Sequence, residues 1–380
     1  MKTLRLHVVG MPHTVTTKGI YTCCAFTQLI VNFCKMMTQR GHTVIHYGAE
    51  GSDPVCAEHV TTITREQQQR WFKYDWASGQ GFPDVQWDGA LPCWRESNAA
   101  AIAALRSRLQ PDDFICIVGG HSQKAIADAF PQYTTVEYAI GYEGTFAQFR
   151  CFASRTWQHH VYGIDRQRDG SWYDAVIPHY FDPDDFALGQ HDGGYYLYLG
   201  RLITRKNPHL AAEVCQNIGA RLVLAGNGVT LNEPGKVASP ELTITGDHIK
   251  HVGPVDQEGR NRLLGGATAL FAMTNYIGMF EMVAVEAMLA GTAVIVTDWG
   301  AFPSFVREGI DGFRVHTMGE MMEAARLCPK LDHERIRREA LERFSLDAVA
   351  PLYEAWFSRL LDMRHHGWYS FAPGSVAVQH

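Results

Sequence analysis

Short runs of apolar residues separated by longer segments of helical period dominate the pattern of the chain. Leu4–Val9, Thr43–Tyr47, Phe114–Val118 and Thr134–Tyr138 each read as a buried strand. Between them, Tyr21–Gln39 is apolar at helical spacing and stopped by Gly41. Ser97–Leu109 reads as a helix with Ser97 or Asn98 as cap, and a further helix runs from His121 to Phe130. Residues 50–95 are rich in Trp, Pro, Gly and polar residues and predict no firm element. Ala175–Phe186 (AVIPHYFDPDDF) is a seam with two prolines and an acidic turn. A second series then begins. Tyr195–Leu199, Arg221–Ala225, Leu242–Thr245, Ile249–Val252, Ala269–Met273 and Ala293–Val296 read as strands. Pro208–Gly219, Glu258–Gly265, the segment carrying Glu286, a segment after the Gly300 turn, Met318–Leu327 and His333 to about Arg364 read as helices.

Strands alternating with helices imply parallel sheets with right-handed crossovers. Two such series predict an α/β protein of two Rossmann-like domains, with ligands beyond the carboxyl ends of the strands. A length of 380 residues agrees with two cores rather than one. The expected domains are residues 1–180, joined by a C-terminal crossing helix at about 358–380, and residues 181–357.

Composition narrows the function. The net charge of −6, without a Lys/Arg-rich block, argues against a dedicated nucleic-acid binder. The N-terminal MKTLRLHVVGMP is too short and alternating for a secretory signal, and no apolar run has the length of a membrane span, so a cytoplasmic protein without an integral membrane segment is expected. The nine cysteines are scattered with no CxxC pair, which fits idle thiols in a reducing compartment. The 18 histidines show no metal-binding spacing, and no metal is expected.

Chemistry concentrates in two segments. Gly200–Pro208 (GRLITRKNP) lies between a strand and a helix, which puts Arg201 and Lys206 at a strand's carboxyl end. A guanidinium fork with an ammonium point charge suits a diphosphate. Met273–Glu308 runs from a polar, aromatic loop into a helix whose first amides, Met282 and Val283, face outward along the helix axis with the positive end of the dipole. Glu286, a little over one turn in, stands within reach of a ribose. In the first half, the loop Gly10–Tyr21 is rich in Thr and Gly and carries His13 and Lys18 as candidate ligand contacts. His121 follows a strand at a Gly-Gly turn.

The GRLxxxKN stretch, the seam Ile177-Pro178-His179-Tyr180-Phe181-Asp182 and VEAMLAGTAVIVTDWGAFPSFV together resemble the family-4 retaining glycosyltransferases of the GT-B fold. The likeness covers nearly all of residues 175–315. It implies two Rossmann-like domains facing a central cleft, the N-terminal one for the acceptor and the C-terminal one for a nucleotide-sugar donor, a UDP-sugar being favoured. It gives Arg201 and Lys206 the donor diphosphate together with Gly19, Met282 and Val283, and Glu286 the ribose. His121 is placed near the transferred sugar, and His13 and Lys18 on the acceptor side. No cofactor is required beyond the donor, since front-face retaining transfer uses a phosphate oxygen as base. The acceptor stays open among a small glycan, a lipid-linked sugar, a protein and a modified nucleic-acid base such as a hydroxymethylated DNA base, so nucleic acid enters only as acceptor. The chain departs from the pattern at one point. Eight residues before Glu286 the family has its first glutamate, and here stands Gly278, with Glu281 where the family has a glycine. Glu281 is therefore the candidate for the sugar contact. A sugar-nucleotide-binding protein with impaired catalysis and a GT-B nucleotide-sugar epimerase are the alternative readings.

Overall fold

The computed structural model describes residues 2–19, 24–73 and 85–366, and it divides into two compact units. Unit 1 comprises Met1–Ala153, Asp165–Tyr180 and Leu346–His380; unit 2 comprises Ser154–Ile164 and Phe181–Ser345.

Unit 1 is built on seven parallel strands in the order β3-β2-β1-β4-β5-β6-β7. These are β1 (Arg5–Val9), β2 (Thr43–Ala49), β3 (Glu58–Ile63), β4 (Phe114–Ile117), β5 (Thr134–Ile140), β6 (Phe149–Phe152) and β7 (Ala175–Val176). The central strands are buried on both faces, as a sheet covered by helices on each side must be. Helix α1 (Ala25–Gln39) buries Leu29, Ile30, Phe33 and Met37. Phe33 stacks within 4.4 Å of Tyr138 and meets Tyr353 edge-on at 5.4 Å. Tyr353 belongs to the last helix, α11 (Leu346–His366), which also sends Trp356, Phe357 and Leu360 into this core. Each such aromatic contributes roughly 2–3 kcal/mol by burial, so α11 is part of unit 1's core although it comes last in sequence. Arg40 and His42 close on its Glu354 at 2.9 and 3.2 Å.

Unit 2 has six parallel strands in the order β13-β9-β8-β14-β15-β16. They are β8 (Tyr195–Leu199), β9 (Arg221–Ala225), β13 (Ile249–His251), β14 (Ala269–Ala272), β15 (Val294–Thr297) and β16 (Gly312–Val315). A small antiparallel sheet of β10 (Leu231–Glu233), β11 (Lys236–Ala238) and β12 (Thr243–Thr245) is inserted after β9. Helices α6 (Pro208–Asn217), α7 (Gln257–Gly266), α8 (Met282–Leu289), α9 (Met318–Leu327) and α10 (His333–Phe344) follow the strands, and α5 (Arg155–Ile164) joins this unit from an earlier part of the chain.

The structure corrects several local expectations. Residues 50–95 hold β3 and α2 (Arg65–Phe72), the latter opened by a Thr64/Gln67 capping box. Helix α3 runs Pro92–Arg106, so Ser97 and Asn98 are buried inside it rather than capping it; Pro92 at its first position starts it instead. The expected helix after Gly300 is one tight turn, Phe302–Ser304, and β16 follows. The long terminal helix is two, broken where Ser345 turns to φ −65°, ψ 160°. Part of the expected helix at Tyr21–Gln39 falls outside the described residues.

Candidate functional site

In a doubly wound sheet the loops diverge where strand order reverses, leaving a crevice at the strand ends. In unit 2 the order reverses between β8 and β14. The two loops leaving these strands are Gly200–Asn207 and Met273–Glu281, the two segments richest in candidate residues.

The first loop is held by its backbone. A Cβ on Gly226, at the end of β9, would lie 2.0 Å from the Gly200 carbonyl oxygen, so a glycine is required for the two strand ends to meet. Asn207 sits in the left-handed region at φ 51°, a conformation asparagine tolerates, and its Nδ2 donates to the Met273 carbonyl at 2.7 Å. Pro208 then starts α6. Asn275 N–H donates to the Arg205 carbonyl at 3.1 Å, tying the two loops together. Lys206 is half-buried between them. Arg201 is exposed, and among the described residues no hydrogen bond or ion pair engages its guanidinium.

The second loop ends in Glu281, at φ 56° and ψ 71°. A non-glycine residue there costs about 1–2 kcal/mol. The twist turns the side chain back over Gly278: a Cβ at 278 would meet Glu281 Oε1 at 2.6 Å. The carboxylate therefore fills the space a side chain at 278 would enter, although it is attached three residues later. Lys206 Nζ lies 3.2 Å from Oε2, and Tyr276 OH donates to Oε1 at 2.6 Å. Burial and the adjacent carboxylate push the Tyr276 hydroxyl up, so it stays a donor. Its ring lies under Arg205 at 4.7 Å and Lys206 at 5.8 Å. Ser154, at the start of α5, donates to the Met279 carbonyl at 2.6 Å and pins the loop.

Helix α8 begins at Met282 with no side-chain cap. The Met282 and Val283 amides are thus first-turn donors with no acceptor among the described residues, beside Glu281 and Lys206. Glu286 is buried one turn further in. Arg260 of α7 reaches its Oε1 at 3.2 Å and stacks on Phe186 at 4.6 Å. Burial raises the Glu286 carboxyl, with Arg260 opposing and Asp185 adding to the rise.

In unit 1 the order reverses between β1 and β4. Gln123 bridges these two strand ends: its Oε1 accepts from Gly119 N–H at 2.8 Å and its Nε2 donates to the Gly10 carbonyl at 2.9 Å. His121 is exposed, its ring stacked at 6.0 Å on Phe146. His13 is buried, edge-on to Phe72 and Trp87, with Cys24 Sγ 3.6 Å from its Nε2. Burial depresses its pKa to about 3, so it is neutral. Its place is an aromatic wall rather than an exposed loop, and Trp87, 44% exposed, is the accessible ring beside it. Lys18 and Gly19 are exposed on the same loop.

The structure thus gathers Arg201, Lys206, Glu281, Met282 and Val283 at one switch point of unit 2, with Glu286 just behind. It places His13, Lys18, Gly19 and His121 on the strand-end loops of unit 1. Tyr276 and Arg260 were not singled out from the sequence. Tyr276 lies in the loop already flagged as aromatic, whereas Arg260 stands 26 residues from Glu286 with no local pattern to expose the pairing. Among the described residues no helix is long and apolar enough to cross a membrane, and no group of three or more His, Cys, Asp or Glu side chains is placed to hold a metal.

Residues 182–345 match the profile of the family Glycosyl transferases group 1. A 193-residue stretch is 28% identical to phosphatidyl-myo-inositol mannosyltransferase of Mycobacterium tuberculosis, covering 47% of this chain and 47% of that protein. D-inositol 3-phosphate glycosyltransferase of a Nocardioides species is 29% identical over 214 residues, covering 49% and 46%. The chain spans about half the length of the curated relatives it matches. Similarity of fold extends further. AviGT4, a glycosyltransferase involved in avilamycin A biosynthesis, superposes with a TM-score of 0.63 at 21% identity, over 94% of this chain and 98% of its own. Anabaena HepE in complex with UDP and glucose gives 0.59 at 13% identity, over 94% and 100%. Both sheets and their connections are those of the GT-B fold.

Proposed function

We propose that this protein, whose residues 182–345 match the profile of the glycosyl transferases group 1 family, is a retaining glycosyltransferase that moves a sugar from a nucleotide diphosphate to an acceptor hydroxyl. The observation that carries the reading is the convergence at one switch point of Arg201, Lys206, the uncapped Met282 and Val283 amides and the Glu281 carboxylate. Cations and aligned amides suit the charge that builds on a departing diphosphate, and they are fixed before the reaction begins. Glu281 then meets the sugar hydroxyls and Glu286 the ribose. No protein nucleophile is needed when the acceptor attacks on the face the diphosphate leaves and a phosphate oxygen takes its proton. Unit 1 is assigned the acceptor, with Lys18, Gly19 and His121 exposed on its strand-end loops.

The carboxylate over Gly278 supports catalysis over binding alone, because the acidic group lost at 278 is regained in space from 281. The donor tested first is a UDP-sugar; mannosyl donors and inositol-containing acceptors are tested next, because relatives are named a mannosyltransferase and an inositol phosphate glycosyltransferase. The test is the thermal shift of the protein with UDP, GDP, ADP and their sugar conjugates. A ligand present at about one hundred times its dissociation constant adds roughly 2.7 kcal/mol, an easily read shift. A shift with one base supports the reading and names the donor. No shift with any of them overturns it.

A further inference from the structure

We propose that Lys206 and Glu281 form a latch opened by the donor's diphosphate, and that Tyr276 is the positioning residue that keeps the released carboxylate at the sugar subsite. This rests on the nucleotide-sugar reading above and adds to it a mechanism for telling a sugar nucleotide from a bare nucleoside diphosphate.

Three observations carry it. The Glu281 carboxylate has two different partners, one on each oxygen: the Lys206 ammonium at 3.2 Å and the Tyr276 hydroxyl at 2.6 Å. The two differ in mobility. Lys206 is a point charge on a flexible stem and can turn to a phosphate carrying two or three negative charges. Tyr276 cannot follow, because Arg205 covers its ring at 4.7 Å and the Asn275 amide fastens its loop to the Arg205 carbonyl. Finally, Glu281 lies against Gly278, in the space left by the absent side chain.

When a diphosphate draws Lys206 away, Oε1 stays bound to Tyr276 and Oε2 is released. A sugar hydroxyl can donate to that oxygen and satisfy it. A bare nucleoside diphosphate supplies no such donor, so it leaves one oxygen of a buried carboxylate unsatisfied beside phosphate charge. The latch thus disfavours the product that remains after transfer and favours its exchange for fresh donor.

The experiment is calorimetric titration with UDP and UDP-glucose, and in parallel GDP and GDP-mannose, of the wild type, Glu281→Gln, Glu281→Gly and Tyr276→Phe. Glu281→Gly suits the left-handed backbone and guards against loss of fold. Removing the carboxylate frees Lys206, so both 281 variants are expected to bind the bare diphosphate about three- to tenfold tighter while gaining nothing for the conjugate. Tyr276→Phe is expected to leave the bare diphosphate within about twofold and to weaken the conjugate about threefold to tenfold, with kcat falling more than KM rises. Equal weakening of both ligands in every variant overturns the latch and leaves the donor reading standing. Absence of binding to wild type with all four ligands overturns both.

Discussion

The two switch points use the same topology for opposite chemistry. In unit 2 the crevice between β8 and β14 is lined by charges paired for the moment with each other, Lys206 with Glu281 and Arg260 with Glu286. In unit 1 the crevice between β1 and β4 is closed by an amide bridge from Gln123 and walled by rings and a neutral histidine. Charges paired this way can be exchanged for a ligand's charge. A neutral wall offers shape and stacking instead, as suits an uncharged sugar or other acceptor.

Variants can break this contrast at graded cost. Glu286→Gln removes the carboxylate that pairs with the buried Arg260 at 3.2 Å, and about 3 kcal/mol of stability should be lost in denaturant unfolding, localised to unit 2 by hydrogen exchange. A loss spread evenly over both units would deny that the pair is local to the unit 2 crevice. Arg201→Ala with Lys206→Ala should weaken nucleotide binding about 100-fold, since two charge-assisted contacts at roughly 1.5 kcal/mol each are removed, and should lower the melting temperature of the free protein because the buried Glu281 loses Lys206. Unaltered binding would place the diphosphate elsewhere.

Acid should act on unit 1. Burial depresses His13, His46 and His179 to about 3. Above pH of about 6.5 they are neutral in both folded and unfolded chains and add no pH dependence. Below it the unfolded chain takes up protons that the native state refuses until about pH 3. Stability therefore falls as pH drops through that window, by up to about 1.4 kcal/mol per pH unit for each histidine. Hydrogen exchange at pH 5 should show unit 1 opening first. The smallest effect is expected of Gly278→Ala. Its methyl would meet only the movable end of Glu281, so it should cost under about 1 kcal/mol in stability while lowering turnover. Turnover equal to wild type would remove Glu281 from the sugar subsite.

The parallel core strands were legible because each is a run of apolar residues bounded by glycine or proline. Most of what escaped lies at the edges of the sheets, where burial is partial and the pattern weakens; β6, FRCF, is fully buried between β5 and β7 but escaped because it is only four residues long and carries Arg150. β3, EHVTTI, is an edge strand with only two buried residues, and α2, REQQQRWF, is nearly all polar and held by its cap. The spacing of Thr64 and Gln67 carried that signal and was overlooked. Helix α5 reads RTWQHHVYGI, and only Trp157, Gln158 and Val161 mark its buried face. The charges of the unit 2 site were legible through their strand–loop–helix setting. Their pairings were not, because Lys206 with Glu281 and Arg260 with Glu286 are set by which loops share a crevice.

The division of the chain into units has a consequence for its synthesis. Unit 2 takes its pieces from Ser154–Ile164 and Phe181–Ser345, whereas unit 1 still needs Leu346 onward to cover Phe33 and Phe114. As the polypeptide leaves the ribosome, the second unit is therefore complete while the first, begun earlier, still exposes an aromatic face awaiting its last helix. Nascent chains that have emerged as far as about residue 345 should for that reason be the ones most in need of a chaperone.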